Sequence, residues 1–114
     1  MGSEIGKMFD GGCTIQTEHI EGLLKVSVSG EITFREREQL TTIIRKLALS
    51  HGATEIKIDL RDCPFIDSSA IVFLLAMYRL FESKITVVVT QGLQPEAIIK
   101  RTNVAQFLNL ISTP

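Results

Sequence analysis

"IKIDLRDCPFIDSSAIVFLLAMYRLF" (Ile56–Phe81) holds two periodicities that change over at one loop. Ile56, Ile58 and Leu60 alternate with Lys57 and Asp59, the period-two signature of a strand with one apolar face. Cys63-Pro64 interrupts that pattern. From Ala70 to Tyr78 no polar group follows except one phenol. A helix so apolar is either buried or docks something. Asp67, Ser68 and Ser69 stand directly before it and are residue types that satisfy the unpaired N–H groups of a helix start. The stretch therefore reads as strand, short loop, helix.

Working outward, the same alternation recurs. Leu24-Lys25-Val26-Ser27-Val28-Ser29 predicts a strand, and Ile85-Thr86-Val87-Val88-Val89-Thr90 another. Thr14–Glu18 alternates weakly, and His19–Gly22 is a turn signal that would join it to the next strand as a hairpin. Thr33 can cap a helix whose apolar positions are Leu40, Ile43, Ile44 and Leu47, with Gly52 as its stop. Pro95 suits the first turn of a further helix carrying Ile98 and Ile99, and Asn103 is a candidate left-handed stop. Phe107, Leu108, Leu110 and Ile111 close the chain as a short helix, a last strand, or both. Residues 1–12, ending in Gly11-Gly12, are expected to form a flexible N-terminus before a single domain over 13–114.

Strands alternating with helices imply right-handed crossovers and a mainly parallel sheet. Parallel strands covered on both faces read as continuous apolar runs. Here Lys25, Ser27, Ser29, Lys57, Asp59, Thr86 and Thr90 occupy the second face. The expected fold is therefore α/β: a (βα)n superhelical sheet with an N-terminal hairpin strand and helices mostly on one face.

The bulk properties exclude several functions. A chain of 114 residues favours one domain, and a net charge of −1 gives no electrostatic footprint for nucleic acid. A membrane span needs roughly 20 consecutive apolar residues, far more than Ala70–Tyr78 supplies, so no direct membrane insertion is expected. Met1-Gly2-Ser3-Glu4 lacks the character of a signal peptide. The two cysteines, Cys13 and Cys63, have no metal-ligand spacing and read as free thiols of a reducing compartment. A cytoplasmic location is expected. Asp59, Asp62 and Asp67 cluster around one strand end, as acids do in metal-dependent phosphoacceptor domains. Such a domain also needs an acidic pair after its first strand and a lysine after its last, and Gly30-Glu31 and Leu110–Pro114 offer neither. Glu4-Ile5-Gly6-Lys7-Met8 lacks the spacing of a phosphate-binding loop. No catalytic residue, metal ligand or cofactor site is assigned.

The segment Ile56–Phe81 resembles the central motif of STAS domains, in particular of bacterial anti-sigma-factor antagonists. In that family an alternating strand ends in an aspartate, and a short loop leads to an aromatic-aliphatic pair and D-S-S-G or D-S-A-G. Asp59, Phe65, Ile66, Asp67, Ser68 and Ser69 match in order. "VSVSGEIT" (Val26–Thr33) resembles the family's second strand and its G-E-L-D turn, with Thr33 where aspartate is common. "PEAIIKRTNVAQFLNLI" (Pro95–Ile111) resembles the closing segment, with Asn103 where glycine is common. Ala70 stands where the family commonly has glycine. The family's fold is itself a one-sided βα superhelix.

The resemblance implies that Ser68 is phosphorylated by a partner anti-sigma factor that is itself a serine kinase, with Ser69 the second choice. The unmodified protein would bind that partner and the phosphorylated form would not; a serine phosphatase would reset the cycle. Asp67, Ser68 and Ser69 are thus candidate partner contacts. Helical spacing assigns Ile71, Leu74, Leu75 and Tyr78 to the core stripe. It leaves Phe73 and Met77 on a candidate docking patch beside Ser68, Met being a residue that repacks easily. Two other readings remain open: a non-phosphorylated STAS scaffold, and the cytoplasmic STAS subunit of a lipid-transport ATPase complex.

Overall fold

The computed structural model describes residues 2–8, 13–82 and 84–114. Six strands form one sheet: β1 (Gly2–Met8), β2 (Thr14–Ile20), β3 (Leu23–Ser29), β4 (Glu55–Asp62), β5 (Ile85–Thr90) and β6 (Asn109–Thr113). Their spatial order is their chain order. β1, β2 and β3 pair antiparallel, and β3 to β6 run parallel. Helices α1 (Phe34–His51), α2 (Ser68–Leu80) and α3 (Gln94–Arg101) fill the crossovers, with a 3-10 turn at Asn103–Phe107 before β6. Strands laid always in one direction, joined by right-handed crossovers, carry every helix to the same face.

Burial confirms the one-sided plan. Leu24, Val26 and Val28 of β3, Ile56, Ile58 and Leu60 of β4, and Ile85, Val87 and Val89 of β5 all lie in the core. Their alternates Lys25, Ser27, Lys57, Asp59 and Thr86 lie on the other face and retain solvent contact. Val88 is the exception, an apolar side chain on the open face that is nevertheless buried. The β2–β3 hairpin turns on Glu21-Gly22, both at positive φ (46° and 85°), two residues later than the start of the turn signal. Paired left-handed residues match the twist of a two-residue hairpin. Gly52 ends α1 in the left-handed conformation, φ 65°, with its N–H on the carbonyl of Ala48.

Four expectations are corrected. Gly2–Met8, read as part of a flexible N-terminus, is an edge strand on β2, with Gly2 opposite His19 and Met8 opposite Thr14. A β2 edge left bare would present unpaired backbone groups, and pairing them needs no side-chain pattern. Residues 1 and 9–12 lie outside the described residues. Asn103 does not stop α3 in a left-handed conformation: Thr102 ends it extended, φ −91° and ψ 163°, and Asn103 opens the 3-10 turn. Phe73 and Met77, read as a docking patch, are fully buried in α2 together with Ala70 and Leu74. Ile71, Leu75 and Tyr78, read as core, are only partly buried and pack against its margin. The inward stripe is therefore rotated by about one residue, roughly 100° of helix, from the expected one.

Candidate functional site

The loops after β3, β4 and β5 meet at the C-terminal edge of the parallel strands, the edge where open α/β sheets usually carry function. The loop after β4 delivers the Asp-Ser-Ser segment, and three contacts fix it. Ile32, before α1, forms a lone parallel bridge with Ile66, and both side chains are buried. The Gln94 carboxamide clamps the backbone of Ile66: its oxygen accepts the Ile66 N–H at 2.9 Å and its nitrogen donates to the Ile66 carbonyl at 2.9 Å. The Cys63 thiol donates to the Val28 carbonyl at 3.3 Å. The loop is thus tied to β3, to the segment before α1 and to the start of α3.

Asp67 is the N-cap of α2, and its Oδ1 accepts the Ser69 N–H at 2.8 Å. Ser68 is the first helical residue and is exposed, whereas Ser69 is only 8% exposed and Ala70 is sealed in the core. The three expected polar residues therefore divide. Asp67 builds the helix start, Ser69 turns inward, and Ser68 alone offers an accessible hydroxyl. The position occupied by Ala70 in place of glycine faces the core, and its N–H is already held by the Asp67 carbonyl at 3.1 Å. Its methyl group does not intrude on the surface around Ser68.

Exposed apolar side chains stand on the same edge. Phe65 is 48% exposed, just before the clamped Ile66. Val72 is 46% exposed and lies four residues after Ser68, one helical turn along the same face. Phe34, at the start of α1, is exposed beneath the Arg37 guanidinium, whose carbon lies 4.9 Å from the ring centroid. Arg37, Thr41, Val72 and Ala76 line a groove of about 320 Å³ between α1 and α2. Sequence reasoning missed Val72 and Arg37 because both depend on the phase of α2 and its neighbour. It missed Gln94 because its contact spans 28 residues and has no local signal.

Asp59, Cys13, Cys63 and Glu36 are each held by burial or by a partner of their own. Asp59 lies on the open sheet face, where the Arg61 guanidinium donates to both of its oxygens; that hydrogen bonding holds its carboxyl below the usual range. Asp59 and Asp67 are thus tied to separate partners. Burial, with Glu36 adding a smaller push, raises the Cys13 thiol to about 11. Burial raises Cys63 to about 12, with Cys13 and two aspartates contributing less. Both are free thiols, and neither populates a thiolate at neutral pH. Glu36 is fully buried three residues after the α1 cap, where the Thr33 hydroxyl donates to its carboxylate at 2.8 and 2.9 Å. Among the described residues, no helix is long and apolar enough to cross a membrane.

The fold is a sequentially laid, one-sided βα sheet that presents one exposed serine at a helix start. Its family follows from sequence: the STAS domain profile matches residues 14–114, and the chain belongs to that family. Solved structures share the fold. An anti-sigma factor antagonist from Mycobacterium paratuberculosis is 24% identical, with a TM-score of 0.77 over 94% of this chain and 92% of that one. The anti-sigma factor antagonist SpoIIAA in its unphosphorylated form is 16% identical, with a TM-score of 0.69 over 88% of each chain. The Bacillus cell fate determinant SpoIIAA in its phosphorylated form is 15% identical, with a TM-score of 0.64 over 88% of this chain and 91% of that one. No curated protein sequence matches the chain.

Proposed function

We propose that this protein is a non-catalytic, phospho-regulated binding module of the anti-sigma-factor-antagonist type. It acts in the cytoplasm: unmodified, it binds a kinase-type anti-sigma factor, and phosphate on Ser68 releases that partner. A serine phosphatase restores the binding form. The observation that carries this reading is the position of Ser68: exposed at the first residue of α2, between the exposed side chains of Phe65 and Val72. Fold likeness to antagonists, including one solved in a phosphorylated form, supports it.

The physics of the switch is local. Phosphate adds a charge of about −1.5 to −2. At a helix N-terminus an anion gains about 0.3–1 kcal/mol, while the neighbouring Asp67 carboxylate opposes it. The fold therefore tolerates the modification. The partner does not: one like charge at ~4 Å costs about 4 kcal/mol at an effective dielectric of 20. At 1.4 kcal/mol per decade that is roughly a thousandfold in affinity. Binding of the kinase-type anti-sigma factor encoded nearest to this chain tests the reading by calorimetry. Ser68→Ala is expected to bind like the parent and Ser68→Glu far more weakly. Equal affinity of Ser68→Glu and the parent would exclude the switch. Co-purification with an ATP-binding transporter subunit, and no phosphate on Ser68, would instead favour the lipid-transport reading.

A further inference from the structure

We infer that the open face of the sheet, opposite the helices and away from Ser68, is a binding site for a small organic anion with an apolar body. Side chains from β2 to β6 enclose a depression of about 370 Å³ there, at the lower end of the range for small-molecule sites. Its apolar part is Val88 and Ile111, which are register partners on β5 and β6. Val88 is 4% exposed although it lies on the face no helix covers, so the depression already withdraws apolar surface from water. Ser27 and Thr113 add hydroxyls at its wall.

The charges of the depression do not balance. Lys25 and Lys57 are register partners on adjacent parallel strands, so their backbones lie about 4.8 Å apart. Like charges placed side by side on a sheet destabilise it. Two carboxylates share the site, and each has a cation. Asp59 is held by Arg61, with Nη2 at 2.7 Å and Nε at 3.0 Å. Glu18 lies 3.9 Å from Lys25. Lys57 makes no ion pair or side-chain hydrogen bond among the described residues; the Asp59 carboxylate, already held by Arg61, feels its field only weakly. An anionic head group between Lys25 and Lys57 removes the repulsion, and an attached hydrocarbon covers Ile111, which is 39% exposed beside the buried Val88. The volume of the depression favours a small ligand over an acidic protein segment.

The test is an amide-resolved NMR titration of the folded chain with hexanoate and, separately, inorganic phosphate. Hexanoate is expected to shift the amides of Lys25, Ser27, Lys57 and Val88 saturably, and more tightly than phosphate does. Lys57→Gln removes one charge-assisted contact, so its Kd should rise about tenfold, while Ser68→Ala leaves it unchanged. Unchanged affinity in Lys57→Gln overturns the site. So do shifts scattered over unrelated lysines such as Lys84 and Lys100. Equal affinity for phosphate and hexanoate removes the role of the apolar floor and overturns the ligand class. A glutamate-rich peptide that shifts this face while hexanoate does not overturns the assignment in favour of protein docking.

Discussion

On α2 two faces less than a turn apart have opposite surroundings. Ala70, Phe73, Leu74 and Met77 are sealed against the sheet, while Ser68 and Val72 point to solvent beside Phe65. Both faces are set by one anchor, the Asp67 cap, and by the loop that Gln94 clamps. One helix thus has a sealed core face and an exposed face. Changes on the inward face should register as stability, and changes on the outward face as binding.

The largest expected effect is on the inward face. Phe73→Ala should destabilise the fold by about 3–5 kcal/mol, and Met77→Ala by about 2–5, measured by denaturant unfolding. If either variant keeps parental stability but loses partner binding, the assignment of the two faces is broken. Removing the anchor comes next: Asp67→Ala should lower stability by about 0.5–2 kcal/mol through the lost N-cap. On the outward face, Val72→Ser should change stability by less than about 0.5 kcal/mol, as for other exposed sites, yet weaken partner binding. A stability loss as large as that of Phe73→Ala would contradict its exposure.

A pH effect sharpens how the edge is held. Glu96 accepts the Gly92 N–H at 3.0 Å and lies 3.3 Å from the Lys100 ammonium. A hydrogen bond from Ser112, then that N–H and Lys100, hold its carboxyl down at about 2. Because the folded value lies below the unfolded value of 4.5, the carboxylate stabilises the fold above about pH 4.5. That contribution is lost as pH falls toward 2. Glu96→Gln should therefore lower stability at pH 7 and flatten the acid limb between pH 4.5 and 2, read from unfolding midpoints across pH. An acid limb identical to the parent's would show that Glu96 does not hold the turn that positions Gln94.

The sequence announces some of this and conceals the rest for identifiable reasons. The strands are legible because one sheet face meets solvent, so Lys25, Ser27, Lys57 and Asp59 punctuate the apolar positions. α1 is legible because its polar residues mark the outer face around Leu40 and Ile44, and Gly52 marks its end. α2 carries no such mark: with almost every position from Ala70 to Tyr78 apolar, spacing alone cannot choose between stripes one residue apart. The choice is made by Asp67 at the sheet edge, which sets the phase and turns Phe73 and Met77 inward. The start of α2 at Asp67-Ser68 was legible from its local motif. β1 was not, since an edge strand joins through backbone groups any sequence possesses. Nor was the Gln94 clamp, which exists only once β5 has returned beside β4.

The proposed switch rests on one hydroxyl, alone on the outward side of the Asp-Ser-Ser cap. The direct measurement is incubation with ATP and the kinase-type anti-sigma factor encoded nearest to this chain, with the modified residue located by mass spectrometry and retention of the complex followed in parallel. Phosphate is expected on Ser68, with dissociation in proportion to its occupancy. Phosphate on the buried Ser69, or a complex that persists with Ser68 fully modified, would contradict it.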